Sequence, residues 1–156
     1  MEDYNVRKYL INMLKGGNAH VEIDKALDGL SVNMCGKKPD NVPYTIWQLA
    51  YHLRISQWDI VEFCRNPDYQ SPGWPEGYWP DTEAPENEKT WEETKTALLS
   101  DKQDMIDMVA DQENELFAPF EHGNGQNLFR EACLIIDHNS YHIGQIILIR
   151  KLLNAW

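Results

Sequence analysis

The chain has 156 residues, with 14 Lys and Arg against 25 Asp and Glu, for a formal net charge of −11. That length suits one domain, residues 1–156, with a real hydrophobic core. The acidity repels phosphates and anionic headgroups, which argues against nucleic-acid and membrane-surface partners; the basic pairs Lys37-Lys38 and Arg150-Lys151 are too short to counter it.

The start, Met1-Glu2-Asp3-Tyr4-Asn5, lacks the basic segment and apolar run of a secretory signal. No apolar stretch approaches the roughly 18 residues of a membrane span. The longest, Ile143 to Leu153, is interrupted by Gln145, Arg150 and Lys151. Cys35, Cys64 and Cys133 are odd in number and contain no CxxC pair, so neither a disulfide framework nor a zinc ribbon is indicated. A cytoplasmic protein with reduced, buried cysteines is expected.

Four helical segments are predicted. The first runs from about Tyr4 to Leu30, with Val6, Tyr9, Leu10, Met13 and Leu14 at helical spacing. Gly16-Gly17 marks a kink or break, after which the pattern resumes through Ala19, Ile23, Ala26, Leu27 and Leu30. Ser31 to Tyr44, with Gly36, Pro39 and Pro43, reads as a loop. The second helix starts at the capping box Thr45-Ile46-Trp47-Gln48 and stops near Arg65, because Pro67 disfavours helical backbone at Asn66.

A long connection follows, Pro67 to Lys89. It carries five of the eight prolines together with Tyr69, Trp74, Tyr78 and Trp79. A disordered linker would hold few aromatics, so an ordered strap packed over the helices is expected. The third helix is predicted from a second capping box, Thr90-Trp91-Glu92-Glu93, to about Gln112. Glu113 to Gln126 is a loop, and the fourth helix runs from about Asn127 to Trp156. The fold class is therefore all-α, a four-helix bundle. The strap is long enough to cross the bundle and leave helices two and three parallel, which permits up-down-down-up without requiring it.

The fourth helix carries His138 and His142. Residues four apart stack on one helical face, about 6 Å apart along the axis, so both imidazoles can reach one transition metal. His52 lies mid-way along the second helix and shares a face with Leu49, Ile55, Ser56 and Asp59. Metal sites in bundles are built from inward side chains of facing helices. His52, His138 and His142 would make a three-nitrogen site with open positions, suited to a divalent zinc or nickel ion. Such an ion activates water or a thiol, or polarises a carbonyl. The residue after His138 is Asn139, where a zinc protease of the HExxH type needs glutamate, so that chemistry is disfavoured.

The segments Thr45-Ile46-Trp47-Gln48-Leu49-Ala50-Tyr51-His52-Leu53 and Asp137-His138-Asn139-Ser140-Tyr141-His142-Ile143-Gly144-Gln145 together resemble the DinB-like superfamily, which includes the YfiT-type metal-dependent hydrolases. The resemblance covers nearly the whole chain in helix order. It implies an up-down-down-up four-helix bundle, a divalent metal, typically nickel or zinc, on three histidines matching His52, His138 and His142, and a homodimer. It also implies a small-molecule substrate, since some relatives are S-transferases or isomerases that use low-molecular-weight thiols. The Pro- and Trp-rich strap departs from the general pattern, so the specific substrate does not carry over.

Other residues could complete such a site. Asp59, two turns beyond His52, and Glu131, two turns before His138, are candidate catalytic carboxylates; Asp59 otherwise reads as a solvent-facing acid near the helix end, and Glu131 could act as a base or as a partner of a ligand. Gln145 could hydrogen-bond a water or a ligand histidine. His20, on the first helix, could enter the cavity or face solvent. Tyr141 could donate to an oxyanion or pack between helices. Trp74, Tyr78 and Trp79 could wall a pocket or fasten the strap, and His122 reads as a solvated loop residue. Two functions follow: a metal-dependent enzyme, hydrolase or thiol S-transferase, or a non-catalytic bundle that binds metal or a small molecule.

Overall fold

The computed structural model describes residues 2–156, so Met1 of the expected domain lies outside the described residues. Among the described residues six α-helices form: α1 (Glu2–Lys15), α2 (Ile23–Leu27), α3 (Val32–Cys35), α4 (Ile46–Arg65), α5 (Glu88–Ala110) and α6 (Leu128–Leu152). The described residues contain no strand, and no described helix is long and apolar enough to cross a membrane.

The predicted first helix is cut at Gly16-Gly17. Both glycines take left-handed backbone, φ +84° and +75°, a conformation that side-chain-bearing residues resist. Of the expected continuation only Ile23–Leu27 coils, and Leu30 reaches the core from outside any helix. Inside the predicted loop 31–44, Ser31 caps the short α3 by accepting from the Met34 amide at 3.3 Å. At α4 the predicted capping box forms on both sides: the Thr45 hydroxyl accepts from Gln48 N, and Gln48 Oε1 accepts from Thr45 N.

The box predicted at Thr90 does not form. Asn87 has the extended backbone that a cap requires, and its side chain accepts from the Thr90 amide at 3.0 Å. The helix therefore begins at Glu88 and absorbs Thr90 into its first turn. At its other end α5 stops at Ala110. There Arg7 of α1 donates to the carbonyls of Val109, Asp111 and Asn114 at 2.6–2.8 Å, occupying oxygens that the helix end leaves open. The fourth long helix closes at Leu152 rather than Trp156, and Arg150 holds the tail by donating to Ala155 O and lying over the Trp156 ring.

Two stacked core clusters define the topology. The lower one joins Leu10 and Leu14 of α1, Val61 near the end of α4, Met105, Ile106 and Val109 near the end of α5, and Leu128, Ala132 and Ile135 from the start of α6. The upper one joins Trp47, Leu49 and Leu53 from the start of α4, Trp91 and Leu98 from the start of α5, and Ile143, Ile146 and Ile149 from the end of α6. Helices α1 and α6 thus run up and α4 and α5 run down. Around the ring, α4 packs between α5 and α6, and α1 closes against both. In the upper half α2 fills the place of the truncated α1 by burying Ile23, Ala26 and Leu27.

Parallel α4 and α5 need a return path, and the strap supplies it along α4. The Thr45 hydroxyl donates to Glu83 O at 2.8 Å, Trp47 Nε1–H donates to Thr82 Oγ1 at 3.1 Å, and Lys38 pairs with Glu83. Gly36 permits the close fit, since a Cβ there would stand 2.5 Å from that of Ala84.

Trp91 is fully buried, packs edge-on against Trp47 and donates its indole N–H to Leu30 O. Trp91→Ala should cost about 3–5 kcal/mol in urea unfolding. Leu148→Ala, on the exposed outer side of α6, should change stability by no more than about 0.5 kcal/mol. Equal losses at both positions would contradict this core.

Candidate metal centre

Helices α4 and α6 face each other across the upper bundle, and their periodicity aims His52, His138 and His142 at one point. His138 Nε2 stands 3.1 Å from His52 Nε2 and 3.1 Å from His142 Nε2. For an ion about 2.0–2.1 Å from each nitrogen, ligand angles of about 90–109° place neighbouring nitrogens roughly 2.9–3.4 Å apart. Both separations from His138 fall in that range, and the three ligand atoms all lie within 4.8 Å of one another.

The outer nitrogens set the tautomers. His52 Nδ1 lies 3.2 Å from the Tyr78 carbonyl oxygen, and His142 Nδ1 lies 2.7 Å from Gln145 Oε1. Both partners are acceptors, so both Nδ1 atoms carry the proton and both Nε2 atoms present lone pairs. His138 Nε2 can donate to only one of them. At least one of the two 3.1 Å contacts therefore lacks a directed hydrogen bond and leaves a nitrogen lone pair without a proton, which a bound cation satisfies. Metal-ligating histidines are held by outer partners in this way.

Burial favours the neutral rings that metal binding requires. It pushes His52 down to about 4, with His142 nearby adding to the effect. His138 falls to about 4 through burial and its two histidine neighbours. Burial also lowers His142, against the opposing bond to Gln145. Among the described residues the cluster has three members, and no cysteine or carboxylate joins it. Three protein ligands with open positions are the arrangement of catalytic rather than structural zinc.

The strap completes one wall. Trp79 lies flat on His52, with ring centroids 4.0 Å apart and planes within 2°, and Tyr44 stacks on Trp79 at 4.7 Å. On the other side Tyr141, 64% exposed, stands edge-on to His142.

The remaining predicted site residues lie elsewhere. Trp74 is 71% exposed and touches Tyr78 rather than a histidine. His20 is not on a helix. It sits in the turn after Gly16-Gly17, with Nδ1–H donating to Val21 O and Nε2 3.0 Å from Ser140 Oγ on α6. His122 is exposed, 2.7 Å from Phe63 O. Asp59 lies about 10.5 Å along α4 from His52, where it accepts from the hydroxyls of Tyr69 at 3.0 Å and Tyr78 at 2.7 Å. Glu131 lies a similar distance, about 10.5 Å, below His138 along α6, buried and paired with Arg130. Since α4 runs down and α6 runs up, both carboxylates sit below the level of the histidines. Sequence reasoning did not single out Tyr44, nor the Tyr78 carbonyl as a histidine partner. A backbone oxygen has no residue signature, and Tyr44 belongs to a loop without periodicity.

The depressed imidazoles make metal-free stability depend on pH. The unfolded chain protonates His52 and His138 near 6.5 and the folded chain only near 4, and His142 is lowered as well. The unfolded state thus binds more protons across that window, and stability falls as pH drops through it. Asp101 opposes this. Burial raises its carboxyl from 3.8 to about 6 despite nearby Arg54, so its protonation returns some stability below 6. The shifts of His52 and His138, with His142 lowered in the same direction, outweigh one carboxyl. The urea midpoint of metal-free protein should therefore fall between about pH 7.5 and 5, more steeply in Asp101→Asn. A midpoint that rises over this range would contradict the assignment.

Comparison with known proteins agrees with this geometry. The family model of the DinB superfamily matches residues 18–146, a span that contains α2 to α5, most of α6 and all three histidines. No curated protein and no solved structure matches the chain. An up-down-down-up bundle with a three-histidine cluster between α4 and α6, matched by that model over most of its length, belongs to the DinB superfamily.

Proposed function

We propose that this chain is a metal-dependent enzyme that activates a low-molecular-weight thiol for transfer to a small electrophile. The observation that carries the reading is the convergence of three Nε2 atoms, with His52 and His142 each held in the metal-ready tautomer. A divalent transition ion, nickel or zinc by donor type, would supply Lewis acidity there, lowering the pKa of a coordinating thiol or water.

The placement of the carboxylates favours thiol over water. Hydrolysis ordinarily draws on a general base within hydrogen-bond reach of the attacking water. Asp59 is committed to two tyrosine hydroxyls and Glu131 to Arg130, both about two turns away from the cluster. A thiol held there would need no protein base: its proton would pass to solvent, and attack on the electrophile would form a carbon–sulfur bond as the leaving group departs with its electron pair. In this reading Tyr141, edge-on to His142, would donate to an anionic oxygen of the substrate, and Trp79 and Tyr44 would form an apolar wall. The same committed carboxylates favour a second reading, a metal-binding bundle without catalysis.

Protein purified without a histidine tag and reconstituted at neutral pH should hold about one nickel or zinc ion per chain. His138→Ala and His142→Ala should lose it. Loaded protein should accelerate consumption of a small thiol by an alkylating electrophile, and His138→Ala should not. Near-zero metal after reconstitution would overturn the reading. Full metal occupancy without thiol consumption would favour the non-catalytic bundle.

A further inference from the structure

Tyr78 lies along α4 with its two ends at different levels. Its hydroxyl donates to Asp59 Oδ2 at 2.7 Å, and its carbonyl accepts from His52 Nδ1–H at 3.2 Å, seven residues earlier on the same helix. The next residue, Trp79, covers the His52 ring. The strap around it has little regular structure beyond the single 3-10 turn Glu76–Tyr78. That turn is closed by Gly77 N–H to Gly73 O at 2.8 Å and by Tyr78 N–H to Pro75 O at 3.1 Å. What ties it to α4 at this level is the Asp59 carboxylate, whose other oxygen accepts from Tyr69 at 3.0 Å. Tyr69 occupies a different place, edge-on to Trp58.

We propose that Asp59 is a positioning residue for the metal centre: it anchors the Tyr78 hydroxyl, and the Tyr78–Trp79 backbone then holds His52 with Nε2 turned toward His138 and His142. The inference rests on the three-histidine metal reading and extends it to a residue two helical turns away. The chain of contacts is continuous, from carboxylate to phenol, through one residue's own covalent frame, to carbonyl, imidazole and the converging nitrogens. Burial and the bond to Asp59 push the Tyr78 phenol up to about 12, so the donor keeps its proton through the working pH range. Tyr78→Phe removes the hydroxyl, with its bonds to Asp59 and Ser71, and leaves the carbonyl, the turn and Trp79 in the chain, which separates positioning from composition.

The test is cobalt(II) titration of full-length, untagged protein, read by visible absorption, beside far-UV circular dichroism. Wild type should bind with a defined spectrum. Asp59→Ala and Tyr78→Phe should keep their helicity yet bind about tenfold more weakly, with an altered spectrum. Tyr69→Phe should stay within about twofold of wild type, because its anchor does not reach His52. In metal-free protein, long-range proton–nitrogen NMR should report His52 as the Nδ1–H tautomer in wild type and as a mixture in Tyr78→Phe. If Asp59→Ala does not fold, Tyr78→Phe carries the test. Wild-type affinity and spectrum in Tyr78→Phe, while His52→Ala loses the metal, would overturn the positioning role and leave the metal reading standing. An equal loss in Tyr69→Phe would also overturn it, by showing general loosening of the strap. No cobalt binding by wild type would overturn both.

Discussion

Two neutral imidazole nitrogens 3.1 Å apart attract each other only if a proton lies between them. His138 Nε2 makes two such approaches and has one proton to offer at most. Much of the upper bundle maintains this unfavourable convergence. The Tyr78 carbonyl and Gln145 take up the outer nitrogens, so neither His52 nor His142 can relieve the contact by switching tautomer. Trp79 presses on His52 and, with Tyr44, prevents the ring from swinging away. Burial withholds the protons that would otherwise charge the cluster and drive it apart. A site held open in this way has done much of its reorganisation before a ligand arrives.

The topology serves the same end. His52 and the histidine pair come from helices far apart in sequence, and their register is set by the packing of α4 against both α5 and α6. Below the histidines, Gln57 donates to Leu98 O at 2.6 Å and accepts from Asn139 Nδ2 at 2.9 Å, a buried polar link joining α4, α5 and α6. Asn139 stands directly after His138, where a protease of the HExxH type would carry its base. Here it is a packing residue whose amide points into the core. Parallel α4 and α5 leave a gap in connectivity that only a long crossing can fill. In this chain that crossing also supplies the orienting carbonyl and the indole cover for His52 of the histidine cluster.

What was legible in the sequence follows a physical line. Helix periodicity placed His138 and His142 on one face, and a capping box with a proline stop bracketed the helix of His52, because these signals are local. Gly16-Gly17 signals a kink or a break, and the outcome goes further: two consecutive left-handed residues end the helix and leave His20 outside it. The box at Thr90 failed because Asn87, three residues earlier, offers a competing cap. The strap was the limit. Trp74 and Trp79 look alike in sequence, and only a tertiary register makes one solvent-facing and the other a partner of His52. Helix periodicity gives Asp59 a face shared with His52, but its partners, Tyr69 and Tyr78, arrive from a segment without periodicity.

The account stands on three imidazoles sharing one ion. X-ray absorption at the zinc edge of reconstituted, untagged protein measures that directly. The prediction is three histidine nitrogens at about 2.0–2.1 Å, with the remaining positions filled by light atoms. Fewer than three imidazoles, or sulfur at about 2.3 Å, would contradict it, since no cysteine lies in the cluster.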